Sequence, residues 1–259
     1  MQEFVTDSLG PGIIYFSSRQ KTVEIAAFLQ QKTAMRVAYY HAALSPQERF
    51  IIQQQFMQGQ LDVICATNAF GMGINKANIR YVIHYHLPQN IESYLQEVGR
   101  AGRDGQPAYA MLLATPQDTY LQQSLVSFGI PEAGLIRRFY QEPTLFKQSQ
   151  GNEFELLRRY QQIGMDEQAV SELLQNRQKE KRFALQTMVD YLNLQGCRRQ
   201  FIVNYFDEQP QQVAHADQCC GQQDSTVFLE KFNLKTLTDD KSPKIDGLDH
   251  WDGILKQLF

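Results

Sequence analysis

Between residues 12 and 115, five short apolar runs alternate with longer stretches whose apolar residues recur at helical spacing. The runs are Gly12 to Phe16, Arg36 to Ala42, Leu61 to Thr67, Tyr81 to His86 and Tyr109 to Thr115, each of strand length. Gln20 to Gln31 reads as the first helix, with Ser17 and Ser18 as candidate caps. Ser45-Pro46-Gln47-Glu48 is a capping box with proline at the first helical position. A helix therefore starts there, carries Phe50, Ile51, Phe56 and Met57, and stops at Gly59. Asn90 caps a third helix, which carries Arg100 and Arg103. Strands alternating with helices of this length imply an α/β fold: a parallel sheet with helices on both faces. Ligands of such a sheet meet the loops at the carboxyl ends of its strands.

Beyond Pro116 the strand signals stop. Gln117 to Phe128, Pro131 to Gln141, Asn152 to Ile163 and Asp166 to Asn193 all have helix-compatible spacing, so a mainly α-helical module follows the sheet. The expected division is an α/β lobe over 1–128, a helical module over 129–222, and a tail over 223–259. That tail ends in a short amphipathic helix carrying Trp251, Ile254, Leu255, Leu258 and Phe259.

A chain of 259 residues, 43% apolar and 20% charged, can bury a full core and a smaller second module. The formal charge is −3, so any nucleic-acid surface must be local. No basic and apolar leader opens the chain, and no apolar run approaches the ~18–20 residues of a membrane span. Four cysteines, with Cys65 isolated in a strand-like run, do not resemble a disulfide framework. The expected setting is the cytoplasm, with no membrane partner.

Gln96-Glu97-Val98-Gly99-Arg100-Ala101-Gly102-Arg103-Asp104-Gly105 is the most chemically pointed segment. Two arginines three residues apart are expected on one face of a helix end that Gly99 and Gly102 have thinned. Guanidinium forks suit phosphate oxygens, so this pair reads as a polyphosphate contact. A surface salt-bridge network is the alternative reading of the same residues.

Together with this segment, Cys65-Ala66-Thr67-Asn68-Ala69-Phe70-Gly71-Met72-Gly73-Ile74-Asn75-Lys76 and Gly12-Ile13-Ile14-Tyr15-Phe16-Ser17-Ser18-Arg19 stand in a definite order. They resemble motifs VI, V and IV of RecQ-type DNA helicases of superfamily 2. His41-Ala42-Ala43-Leu44 with Glu48-Arg49 is similar to the family's His-Ala-Gly-Leu segment, with Ala43 where glycine is usual. Cys197-Arg198-Arg199 with Asn204-Tyr205-Phe206 extends the resemblance into the family's helical zinc-binding module. No Gly-x-x-x-x-Gly-Lys-Ser/Thr loop and no Asp-Glu-x-His box occur in the sequence. The resemblance thus implies that the chain is the second RecA-like lobe plus the following module of a 3′-to-5′ helicase. An N-terminal RecA-like lobe would be its partner, and the chain alone should be inactive.

The resemblance also implies roles for particular residues. ATP would lie between two lobes, its phosphates and Mg²⁺ held mainly by the first. Arg103 would act as the arginine finger and Arg100 as its partner at the γ-phosphate. Gln96 and Glu97 would hold the arginines in place, while Gly71, Gly73 and Asn75 would approach the nucleotide. Asn75 stands where the family usually has aspartate, so a ribose contact would keep an acceptor but lose the charge. Lys76 is either a solvated loop residue or a phosphate contact. For DNA the candidates are Ser17, Ser18, Arg19, His41, Thr67 and Asn68, all at strand ends, where hydroxyls and a few cations can follow a phosphate backbone. His84 and His86, alternating in one strand, read as satisfied structural histidines.

The family's zinc ligands are incompletely present. Aligning Asp217 with the family's aspartate puts Val213 and Ala216 at two cysteine positions, leaving Cys197 and Cys219 in register. His215 and Cys220 could complete a rearranged set, but a closed structural site needs four donors, so zinc is not expected. Arg177, Lys179, Lys181, Arg182, Arg198 and Arg199 form the most basic segment, either a duplex contact or a solvated face. Two rival readings stay open: a non-catalytic DNA-binding or adaptor protein that keeps the lobe as scaffold, and an RNA helicase of the same superfamily.

Overall fold

The computed structural model describes residues 10–71, 73–113 and 115–206. Five strands form one sheet: β1 (Gly12–Tyr15), β2 (Val37–Tyr40), β3 (Val63–Ala66), β4 (Tyr81–His84) and β5 (Tyr109–Leu112). Their order across the sheet is β2-β3-β1-β4-β5, and every pairing is parallel. All five expected strands are therefore present, each ending one to three residues before its apolar run does.

Three helices make the crossovers: α1 (Arg19–Lys32), α2 (Pro46–Met57) and α3 (Ile91–Val98). The step from β1 to β2 and the step from β2 to β3 run in opposite directions across the sheet. Right-handed crossovers then put α1 and α2 on opposite faces, and α3 on the same face as α2. Side-chain alternation agrees: Ile13, Tyr15, Tyr40, Ile64, Ala66 and Val82 share one face, where they pack with Phe56 of α2 and with Phe70, Ile74 and Ile79. The capping box at the start of α2 forms, with the Ser45 amide donating to Glu48 Oε2 at 2.8 Å. Of the apolar residues expected to anchor α2, only Phe56 is buried; Phe50 is 61% exposed and Ile51 45%. At Gly12 a Cβ would land inside the ring of the fully buried Tyr81, so this position excludes every side chain.

The helical segment holds α4 (Pro116–Ser127), α5 (Ala133–Gln141), α6 (Asn152–Gln162) and α7 (Glu167–Asn193), with an unanticipated 3₁₀ turn over Pro143–Phe146. Ile136, Phe139, Leu157, Tyr160, Val170 and Leu174 form a separate core among these helices. Leu9–Leu194 is one compact unit, and the boundary expected at residue 128 falls inside it. The α4 and α5 helices both pack on α7, and Tyr94 of α3 meets Tyr191 of α7 with ring centres 5.6 Å apart. The described residues after Leu194 contain one helix, α8 (Arg198–Phe206). Val213, His215, Ala216, Asp217, Cys219, Cys220 and the tail over 223–259 lie outside the described residues. No helix among the described residues is long and apolar enough to cross a membrane.

Candidate nucleotide and nucleic-acid site

The third helix is short and strongly one-sided. Ile91, Tyr94 and Glu97, three residues apart, are its buried positions. Asn90 caps it, with Oδ1 accepting from the Ser93 amide at 2.8 Å. After Val98 the chain tightens: Arg100 N bonds Glu97 O at 3.2 Å and Ala101 N bonds Val98 O at 3.0 Å. Gly102 then adopts φ +66°, and its amide crosses to Ile79 O at 2.9 Å. The two arginines are consequently not on a helix, contrary to the sequence expectation. They lie in the turn beyond it, where bonds to the third preceding carbonyl replace the helical ladder from Arg100 on and the left-handed Gly102 prevents its resumption before Arg103.

That turn is pinned at both ends. Upstream, Glu97 Oε2 meets His84 Nε2 at 2.7 Å in a buried pair. Downstream, Arg80 reaches Asp104 Oδ2 at 2.5 Å and the Pro107 carbonyl at 3.0 Å. The hydrogen bond from Arg80 holds the Asp104 carboxyl below its ordinary pKa. Glu97 is thus an internal anchor rather than a surface carboxylate.

The two arginines part company at this point. Arg100 is only 7% exposed, and its Nη1 donates to Gly71 O at 2.6 Å. A Cβ on Gly71 would collide with that guanidinium, and φ is +157° there, so Arg100 and the backbone together call for glycine at this position. Arg103 is exposed, and its Nε donates to Gly99 O at 3.0 Å. Gln96, Gly73 and Asn75 are exposed as well. Gly73 has φ +81° with open space where a Cβ would stand. Lys76 fits neither of its expected readings. It is buried, with Nζ 3.3 Å from Met57 O and 5.5 Å from the centre of the Phe56 ring.

A cleft opens at the carboxyl ends of β1, β3 and β4, where the parallel sheet leads one to look. Ser17, Thr67 and Asn68 line it together with His84, His86 and Glu97. Gln89 and Ser93, which carry no motif signal, also line it. The remaining expected DNA contacts do not join the cleft. Ser18 caps α1, accepting from the Lys21 amide at 3.4 Å; Arg19 is the first residue of that helix; His41 sits beyond edge strand β2 beside the Tyr39 ring. Sequence reasoning also missed Gln122 of α4. It is fully buried and donates to Ser17 Oγ at 2.8 Å and to the Leu87 carbonyl. A glutamine among many others gives no signal of that role.

His86 Nδ1 accepts from the Ser17 amide at 3.2 Å. Burial pushes its pKa down to about 4, and the charge of Lys21 adds to the effect. An unfolded imidazole titrates near 6.5, so below that pH the unfolded chain takes up a proton which the folded chain refuses until about pH 4. Stability from this group is therefore complete above pH 6.5 and falls by up to about 3 kcal/mol on acidification to pH 4. In melting curves across this range, His86→Gln is expected to lack that part of the pH dependence. An identical slope in variant and unaltered chain would refute the assignment.

The buried Cys65 thiol has its pKa raised by desolvation and is unsuited to nucleophilic or ligand chemistry. Among the described residues no three side chains are grouped as metal ligands, and Cys197 Sγ accepts from the Gln200 amide at 3.4 Å at the start of α8. Lys179, Lys181 and Arg182 stand exposed along α7, while Arg177 donates to the Tyr160 hydroxyl at 2.8 Å.

Residues 1–105 match the family model described as helicase conserved C-terminal domain, and residues 152–223 match the one described as RecQ zinc-binding. The chain is 33% identical to the probable ATP-dependent DNA helicase RecS of Bacillus subtilis over 276 aligned positions, covering 99% of this chain and 54% of that protein. It is 49% identical to the ATP-dependent DNA helicase RecQ of Haemophilus influenzae over 116 residues, 44% of this chain and 19% of that one. A protein of Acanthamoeba polyphaga mimivirus named as a putative ATP-dependent RNA helicase is 33% identical over 210 residues, 81% of this chain and 30% of that one. The chain spans about half the length of the first of these relatives and less of the others.

Proposed function

Because this chain belongs to the RecQ-type helicases of superfamily 2, as their C-terminal region, we propose that it is the second motor lobe of an ATP-dependent DNA helicase. In this reading Arg103 is the arginine finger and Arg100 the buried strut that sets it. The observation that supports this division is the contrast between the two side chains. Arg100 is buried and donates from Nη1 to Gly71 O, whereas Arg103 is presented to solvent from a turn held by Glu97, Gly102 and Asp104. A preorganised cation at the edge of a lobe costs no rearrangement when a negatively charged phosphoryl group arrives.

The phosphate loop and the Mg²⁺ site belong to an N-terminal lobe in this reading, and the isolated chain does not hydrolyse ATP. Gln96, Gly73 and Asn75 are exposed and available to the nucleotide, while Gly71 serves it through Arg100. Ser17, Thr67 and Asn68 offer hydroxyl and amide groups from one cleft to a nucleic-acid backbone, which suits sequence-independent tracking. The naming of the bacterial relatives as DNA helicases, with the Phe70-Gly71-Met72-Gly73 and Cys197-Arg198-Arg199 segments, favours DNA over RNA.

The test is ATP hydrolysis and strand separation by the protein in which this chain is joined to a first lobe, comparing Arg103→Ala with the unaltered sequence. Retained DNA-stimulated turnover in the variant would remove the arginine from its role. Absence of turnover in the unaltered joined protein would favour the non-catalytic scaffold.

Zinc does not fit the donor set well. Val213 and Ala216 stand where two thiolates belong, and adjacent Cys219 and Cys220 do not readily serve one tetrahedral ion. The module is expected to carry much less than one zinc per chain by elemental analysis of the purified protein. Stoichiometric zinc that survives dialysis against a chelator would show that His215 and Cys220 complete a rearranged site with Cys197 and Cys219.

A further inference from the structure

A connected set of buried side chains, Tyr15, His84 and Glu97, lines the floor of the cleft and runs from there to the arginine turn. In the sheet register Tyr15 of β1 is paired with His84 of β4. Their rings stack with centres 5.4 Å apart and planes 21° apart. His84 is 2% exposed and holds Glu97 at 2.7 Å. At the other side of Tyr15, the hydroxyl donates to Phe70 O at 3.0 Å, and Arg100 donates to the next carbonyl, Gly71 O, at 2.6 Å. The charge of Arg100 also acts on the Tyr15 hydroxyl, lowering its pKa against the larger rise from burial. Two side chains thus grip consecutive carbonyls of one loop.

That loop begins at the cleft. Thr67 and Asn68 line the cleft, Phe70 N turns back to Thr67 O at 3.0 Å, and Phe70 and Gly71 follow directly. A ligand that shifts the Thr67–Asn68 segment therefore pulls on the carbonyls that anchor Tyr15 and Arg100. Glu97 closes the set from below: its side chain is fixed by His84, and its carbonyl accepts the Arg100 amide at 3.2 Å. Closely packed polar networks of this kind change between discrete arrangements rather than by smooth deformation.

We infer that Tyr15, His84 and Glu97 are positioning residues that link occupancy of the cleft by a nucleic-acid backbone to the setting of the Arg100–Arg103 turn. The inference rests on the proposed reading of the lobe and deepens it. None of the three touches the transferring phosphoryl group; each acts through Arg100.

Tyr15→Phe is the sharpest probe, because it keeps the ring on His84 and removes only the hydroxyl that holds Phe70 O. In the protein joined to a first lobe, ATP hydrolysis is measured with and without single-stranded DNA. The variant is expected to lose about tenfold in DNA-stimulated kcat, the effect of one hydrogen bond in a charged network, while the DNA-independent rate falls much less, so that the stimulation ratio drops. Glu97→Gln, which keeps shape and removes charge, should reduce stimulation too. The double variant should lose no more than the worse single one, because the two act through one network.

A purely structural role predicts something different: stimulated and unstimulated rates would fall together, in step with the melting temperature. That result, an undiminished stimulation ratio in Tyr15→Phe, or additive losses in the double variant would each overturn the inference. Arg103→Ala measured alongside separates the two claims. Full turnover in Arg103→Ala refutes the finger, whereas the stimulation ratio of Tyr15→Phe reports on the link whatever Arg103 does.

Discussion

Arg103→Ala, in the protein that supplies the first lobe, is expected to lower ATP turnover by ~10³–10⁵, the usual worth of an arginine finger. The physical reason is charge: the transferring phosphoryl group spreads negative charge over its oxygens, and a guanidinium already held in place stabilises that charge without reorganising. The fold should not notice the loss. Arg103 is exposed, and loss of its hydrogen bond to Gly99 O, 3.0 Å long, leaves an accessible carbonyl that water can satisfy. Surface substitutions of this kind stay within about 0.5 kcal/mol. The measurement is steady-state hydrolysis at saturating DNA beside a thermal melt. A tenfold loss or less would place the finger elsewhere, and a large drop in melting temperature would make Arg103 a structural residue.

Arg100→Ala is expected to behave in the opposite way at the level of the fold. It removes a buried fork, leaves Gly71 O without its partner and opens a cavity beneath the turn. Losing a buried hydrogen bond from a charged donor costs about 2 kcal/mol, which for a unit of this size lowers the melting temperature by roughly 4–8 °C. Turnover should fall as well, because the turn bearing Arg103 loses its support from the Gly71 loop. Gly71→Ala attacks the same contact from the other side, since its Cβ would occupy the place of the guanidinium. The two changes share one contact, so the double variant should be less destabilised than the sum of the singles. Melting curves of the four proteins decide this; unaltered stability in Arg100→Ala would show that the buried fork supports nothing.

These two arginines also show where sequence reasoning succeeds and where it stops. The segment from Gln96 to Gly105 is legible as a polyphosphate-facing motif, and the glycine-rich Phe70-Gly71-Met72-Gly73 block as its companion. Nothing in either segment says that Arg100 turns inward to Gly71 while Arg103 stays outside. The helix expected to carry both ends at Val98, since the amide of Gly102 is drawn to Ile79 O, a partner from a loop preceding β4. The same holds for Lys76, whose sequence neighbours suggest an exposed loop but whose ammonium is covered by α2.

The five strands, the caps at Ser45 and Asn90, the parallel sheet and the helical segment after Pro116 are all set by the sequence alone. They depend on side-chain periods and on hydrogen bonds within three or four residues, which any local window contains. The tertiary structure alone decided the β2-β3-β1-β4-β5 order, the His84–Glu97 pair, the hold of Gln122 on Ser17, and the separate fates of Arg100 and Arg103. Those contacts join residues 13 to 105 positions apart, or depend on which side of such a contact a side chain falls. Burial and partnership are properties of the packed chain, and a motif carries only the residue types that packing will later divide between support and chemistry.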